Sequence, residues 1–149
     1  MENGLTILLV EDNRDDQLLF GRAFEKLGHG CDLRIVESPA EGLDYLEGKG
    51  SFSDRERHPL PSVILIAINE AQDDDCAVLQ WVRENQRSSI LPIIVFSSFA
   101  RDSDVKAAFE VGVHGYFEKP VNTDELIDHL RQVYNYWSHS LKPSLPATG

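Results

Sequence analysis

Basic residues, cysteine and long apolar runs are all scarce in this chain, and each shortage closes off a class of function. Lys and Arg number 14 against 25 Asp and Glu, a formal net charge of -11 over 149 residues. Such a chain repels nucleic acid phosphates and anionic lipid headgroups at long range, so direct DNA or membrane binding is not expected. No apolar run approaches the roughly 20 residues that a membrane-spanning helix needs, and the start Met1-Glu2-Asn3-Gly4 lacks the basic-then-apolar layout of a secretory signal. A cytoplasmic protein is expected. The two cysteines, Cys31 and Cys76, stand far apart and outside any CxxC arrangement, which predicts reduced, part-buried thiols and no disulfide or zinc site.

What is present is a regular alternation of apolar patterns. Leu5-Thr6-Ile7-Leu8-Leu9-Val10 is an unbroken apolar run of strand length, as suits a strand covered on both faces of a parallel sheet. Phe20, Ala23, Phe24 and Leu27 then draw one helical stripe, which Gly28 and Gly30 stop. Residues 31–36 predict a second strand, and Pro39, at a first-turn position, opens a helix over 40–46. Residues 48–61 hold Gly, Ser, charges and two prolines without apolar period, and predict an exposed loop, the most mobile segment of the chain.

Val63-Ile64-Leu65-Ile66-Ala67-Ile68 predicts a buried third strand, followed by a helix from Asp75 to Gln86. Residues 92–97 give the fourth strand, with Pro92 at its first position, where a missing N–H does least harm. A helix over 102–111 ends at Gly112, and a short fifth strand covers 114–117. The last helix starts behind Thr123 as N-cap, with Asp124 and Glu125 in its first turn and Leu126, Ile127, Leu130, Val133, Tyr134 and Trp137 on one face. Residues 1–139 are expected to form one domain, with a disordered tail over 140–149. Five β-α units in strict alternation demand a doubly wound α/β fold with right-handed crossovers, and functional groups should gather outside the carboxyl ends of the strands.

Those ends carry chemistry. The first strand runs into Glu11-Asp12, the fourth ends in Ser97-Ser98, and the fifth leads through Glu118 to Lys119-Pro120. If the fold is right, a carboxylate pair, a hydroxyl and an ammonium meet in one crevice, as magnesium-assisted phosphoryl transfer requires. On Ile7-Leu8-Leu9-Val10-Glu11-Asp12-Asn13, on Pro92 to Ser97 and on Gly115-Tyr116-Phe117-Glu118-Lys119-Pro120, the chain resembles the receiver domains of response regulators in two-component phosphorelay signalling. The 48–61 loop, the lead-in Pro61-Ser62 and the aromatic end Tyr134 to Trp137 are similar to single-domain regulators that partner bacterial phytochrome kinases.

The resemblance implies a flavodoxin-like three-layer (βα)5 sandwich whose parallel five-stranded sheet has the order 2-1-3-4-5. It implies that Glu11 and Asp12 hold magnesium together with the backbone carbonyl of Asn69. It also implies that Ser97 bonds a phosphoryl oxygen, that Tyr116 reorients as the signal passes, that Lys119 pairs with the phosphoryl group, and that the bond before Pro120 is commonly cis. Read without it, Asp12 or Asn13 caps the next helix, Asp15 and Asp16 favour its positive end, and Lys119 is a solvated surface lysine. Implied partners are a sensor histidine kinase or another signalling protein, and a second copy docking through the face of fourth helix, fifth strand and fifth helix. That face would include Phe109, Tyr116 and the Tyr134 to Trp137 end, for which core packing is the competing account; Trp137 is the residue expected to touch another chain.

One position departs from the pattern. The third strand of a receiver ends in the phosphate-accepting aspartate, and here the count gives Ala67. A methyl group cannot form an acyl phosphate. The following turn is altered as well, with Glu70-Ala71 and Asp73-Asp74-Asp75. With one carboxylate fewer, magnesium is expected to bind weakly if it binds, and Lys119 to pair permanently with Asp12 or Glu11. The leading expectation is a non-enzymatic, phosphorylation-independent interaction module. A second reading keeps phosphotransfer from a histidine kinase, with Ala67 an introduced change or Glu70 or Asp73 as acceptor. A third, an enzyme or flavin carrier on this architecture, conflicts with the turn Glu11-Asp12-Asn13-Arg14-Asp15-Asp16, which has no glycine with which to cradle a phosphate.

Overall fold

The computed structural model describes residues 5–28, 30–68, 84, 91–98, 101–120 and 122–139. The expected helix from Asp75 to Gln86, Asn69, Cys76, the altered turn over 70–75 and the tail over 140–149 lie outside this set, Glu84 apart. Strand β1 (Thr6–Val10) leads to α1 (Arg14–Leu27), β2 (Asp32–Val36), α2 (Pro39–Glu47) and a 3-10 turn at Gly50–Phe52. Then come β3 (Val63–Ile68), β4 (Ile93–Ser97), α3 (Asp102–Val111), β5 (Gly115–Glu118) and α4 (Thr123–His139). Helices α3 and α4 are the fourth and fifth of those expected from the sequence.

The sheet is parallel throughout with the order β2-β1-β3-β4-β5, as the resemblance implied. Because successive side chains of a strand point to opposite faces, the apolar runs divide between two cores. Ile7, Leu9, Leu65, Ala67 and Phe96 face the layer formed by α1 and α4, where Phe20, Phe24, Leu126 and Leu130 meet them. Leu8, Val10, Ile64, Ile66 and Val95 face α2 and α3, against Tyr45, Leu46 and Ala108. Phe20 meets Phe96 edge to face at 5.5 Å, which ties α1 to the middle of the sheet. Burial on both faces explains why β1, β3 and β4 read as continuous apolar runs and not as alternating ones.

Helix α1 buries Phe20, Ala23, Phe24 and Leu27, the stripe read from the sequence, and ends where Gly28 takes the left-handed conformation at φ 73°. Two expectations are corrected. The N-cap of α4 is Asn122, whose Oδ1 accepts the Glu125 N–H at 2.8 Å, and not Thr123; an amide oxygen at the preceding position reaches that orphan donor. The 48–61 loop is fastened down and not loose. Tyr45 Oη donates to the Pro59 carbonyl at 2.8 Å, Arg55 donates to the carbonyls of Leu46 and His58 at 2.7 and 3.0 Å, and Arg34 reaches the Arg57 carbonyl at 2.6 Å. Phe52 and His58 close on the Tyr45 ring at 5.0 and 5.9 Å, contacts too irregularly spaced along the chain to register as a period. No helix among the described residues is long and apolar enough to cross a membrane.

Candidate functional site

At the carboxyl end of β1 the chain leaves the sheet at Glu11, whose N–H still donates to the Val36 carbonyl at 3.0 Å. Its side chain is fully buried. A carboxylate in that position must be compensated by charge and by hydrogen bonds. Oε2 accepts the Asn13 N–H at 3.0 Å, Oε1 accepts from Lys119 Nζ at 2.8 Å, and the Glu11 carbonyl accepts from Gln17 Nε2 at 2.7 Å. Asn13 is the N-cap of α1 and accepts the Asp16 N–H on Oδ1 at 2.9 Å, which settles the cap on Asn13.

Lys119 comes from the opposite side of the crevice, where β5 ends. Its N–H donates to the Ser97 carbonyl at 2.7 Å, so the root of the side chain is fixed to the end of β4. Its ammonium lies 2.8 Å from Glu11 Oε1 and 2.8 Å from Asp16 Oδ2, with the lysine side chain 11% exposed and that of Asp16 33%. Of the expected partners, Asp12 or Glu11, the ammonium takes Glu11, and Asp16 joins it as a partner that the sequence did not suggest. The reason is positional. Asp12 precedes the cap, whereas Asp16 is the third residue of α1 and turns back over the helix start.

The other sequence candidates occupy the surrounding ends. Ala67 is buried on β3 beside Phe96, with Ile68 next to Ser97 in register. Ser97 is fully buried at the end of β4. Tyr116 is part-buried against the α2 and α3 core. No peptide bond among the described residues is cis, so the Lys119–Pro120 bond is trans, against the expectation drawn from the resemblance. Asn69, the third metal candidate, is outside the described residues. The structure therefore brings Glu11, Ser97, Lys119 and Ala67 to one edge of the sheet. It adds two residues that sequence reasoning assigned otherwise or passed over, Asp16 and Gln17. The only signal for them was an acid and an amide one helical turn behind a capping Asn.

Glu11 is a poor ligand for a divalent cation. Each Glu11 oxygen already accepts a hydrogen bond, a cation reaching Oε1 meets the Lys119 ammonium, and the facing residue of β3 presents a methyl group. Among the described residues no group of three His, Cys, Asp or Glu side chains converges. The thiol of Cys31 is free, and burial pushes its pKa up, so it is a poor nucleophile.

A doubly wound sheet of this order, with acid, hydroxyl and lysine at the carboxyl ends of β1, β4 and β5, defines the receiver class of signalling domains. Residues 7–131 match the response regulator receiver domain family, and the chain belongs to it. It is similar to the response regulator RPA3017 in red light signalling of R. palustris, at 26% identity and a TM-score of 0.84, with 97% of this chain and 99% of that one covered. The bacteriophytochrome response regulator RtBRR is 30% identical at a TM-score of 0.74, with 97% of this chain and 85% of that one covered. Response regulator Rcp1 of Synechocystis sp. is 26% identical over 95% of this chain and 92% of its own length. Its Mn(2+)-bound form has a TM-score of 0.77, with 96% of this chain and 99% of that one covered. The likeness to phytochrome-associated regulators read from the sequence thus has structural support.

Proposed function

We propose that this chain is a single-domain response regulator of a two-component pathway that signals without accepting phosphate on β3. The observation that carries the reading is Ala67, a buried methyl at the strand end where the family places its acceptor, in a pocket whose lysine is already held between Glu11 and Asp16. With no nucleophile on that strand and the ammonium engaged, the pocket has a charge balance of its own, and output passes to the surface. That surface is α3, β5 and α4, where Phe109 and Tyr136 are 48% and 62% exposed. The partner is a sensor histidine kinase or another signalling protein docking there.

The test is intact-mass analysis after incubation with acetyl phosphate and magnesium, paired with a partner pull-down with and without the donor. No phosphoryl adduct and equal capture in both arms is the expected result. An adduct mapping to Glu70 or Asp73, or capture that requires the donor, would overturn the reading.

A further inference from the structure

The pocket solves an electrostatic problem in its own way. Glu11 has no solvent exposure, and the helix start behind it adds a second carboxylate, Asp16, within reach of the same ammonium. Two acids brought together need a cation between them, and a divalent ion is one way to supply it. Here the cation is part of the chain. Lys119 is tied at its backbone to the Ser97 carbonyl at 2.7 Å and at its tip to Glu11 Oε1 and Asp16 Oδ2, each at 2.8 Å.

We propose that Lys119 acts as a tethered cation taking the charge-neutralising place of a divalent metal in this pocket, with Asp16 as the positioning residue that keeps it there. This rests on reading the pocket as one without a phosphoacceptor, and it adds the means by which such a pocket is held closed to metal.

Three features argue for it. First, the Glu11 carboxylate cannot turn to offer a fresh edge, because Asn13 N–H holds Oε2 at 3.0 Å and the cap geometry of α1 holds Asn13. Second, a dication on Oε1 would stand within a few ångströms of the ammonium in a poorly solvated place, where like charges repel far more than in water. Third, a tethered group competes at high effective concentration and loses little freedom on engaging, whereas a free ion must shed water and be immobilised. Asp16 supplies a further point of attachment beside Glu11, which limits the swing of the four-carbon arm.

The experiment uses the full chain and Mn2+ as probe, without any phosphodonor. Mn2+ affinity is measured by paramagnetic resonance for the wild type and Lys119→Gln, with circular dichroism to establish folding. In parallel, acetic anhydride labelling with peptide mass analysis gives the reactivity of the Lys119 amine relative to exposed Lys106, in the wild type and Asp16→Asn. Lys119→Gln should bind Mn2+ about tenfold or more tightly than the wild type, the scale of removing one nearby like charge. Wild-type Lys119 should label about tenfold more slowly than Lys106, and Asp16→Asn should close most of that gap, as expected for loss of an anchoring carboxylate.

Equal Mn2+ affinity in the wild type and Lys119→Gln would overturn the tethered-cation assignment, and unchanged labelling in Asp16→Asn would overturn the role of Asp16. Should Lys119→Gln fail to fold, Mn2+ must accelerate Lys119 labelling in Asp16→Asn while leaving the wild type unchanged; the same response in both proteins would overturn the proposal. A phosphoryl adduct in the separate donor experiment would remove the functional reading and leave these measurements standing.

Discussion

Glu11 concentrates more of the site than any other residue. Its carboxylate serves the Asn13 N–H and Lys119 at once, and its carbonyl holds Gln17, so strand end, helix start and the β5 terminus meet on one side chain. Removing it leaves a lysine side chain that is only 11% exposed without a carboxylate that holds it. Glu11→Ala should therefore lower unfolding free energy by about 3–5 kcal/mol in urea titrations, the range for breaking a buried ion pair by deleting one partner. Asp16→Asn, at a third exposed, should cost much less. His114 gives a pH-dependent counterpart. Its Nδ1 accepts the Ile93 N–H at 3.2 Å, its ring meets Trp137 edge to face at 5.9 Å, and desolvation there holds its pKa below the ordinary 6.5 although the residue as a whole is exposed. As pH falls the unfolded chain takes up the proton first. The contribution is full above about pH 6.5 and is lost as pH falls through the depressed folded value. His114→Asn should flatten the difference in melting temperature between neutral and mildly acidic buffer, and an unchanged slope would refute the assignment.

At the scale of elements, the 48–61 loop decides how rigidly the end of α2 is joined to β3. Tyr45 is 1% exposed and its hydroxyl is the donor to the Pro59 carbonyl at 2.8 Å; burial pushes its pKa up, so it remains a donor through the working range. Tyr45→Phe should cost about 1–2 kcal/mol, since the carbonyl loses its partner while the ring packing stays. Faster amide exchange around residues 55–60 with unchanged protection in β1 would localise the effect. Here the limits of sequence reading show physically. Strands β1, β3 and β4 were legible because burial on both faces leaves an unbroken apolar signature, and α1 because its stripe has one period and a glycine stop. The loop was not, because it is held by arginine-to-carbonyl bonds and by aromatic contacts with no period. The same holds in the site. Glu11, Ser97 and Lys119 lie at strand ends that topology brings together, but the role of Asp16 depends on which way the first turn of α1 faces, and Asn122 displaced Thr123 as the cap of α4 by a single position. In α4, Trp137 follows Val133 by four residues and so packs against the core, which leaves Tyr136 and not Trp137 as the exposed aromatic.

For the molecule as a whole, the charge of -11 sets the terms on which these local arrangements operate. Elements α3, β5 and α4 carry exposed Asp102, Glu110, Glu118, Asp124 and Glu125 against exposed Lys106, while Arg101 and Arg131 are paired with Asp104 and Asp128. A basic partner is attracted to such a face, and a second copy brings like charge to like. Self-repulsion within the folded chain falls as salt is added: from about 0.01 M to about 1 M the Debye length contracts from about 30 Å to about 3 Å. The melting temperature should therefore rise over that range in sodium chloride. The Glu11–Lys119 pair follows a different rule, because a buried contact at 2.8 Å lies inside any ionic atmosphere. The stability difference between wild type and Glu11→Ala should accordingly stay nearly constant from low to high salt while both melting temperatures climb together. A difference that shrank with salt would mean that the pair is solvated, and that the pocket owes its charge balance to the surface and not to burial.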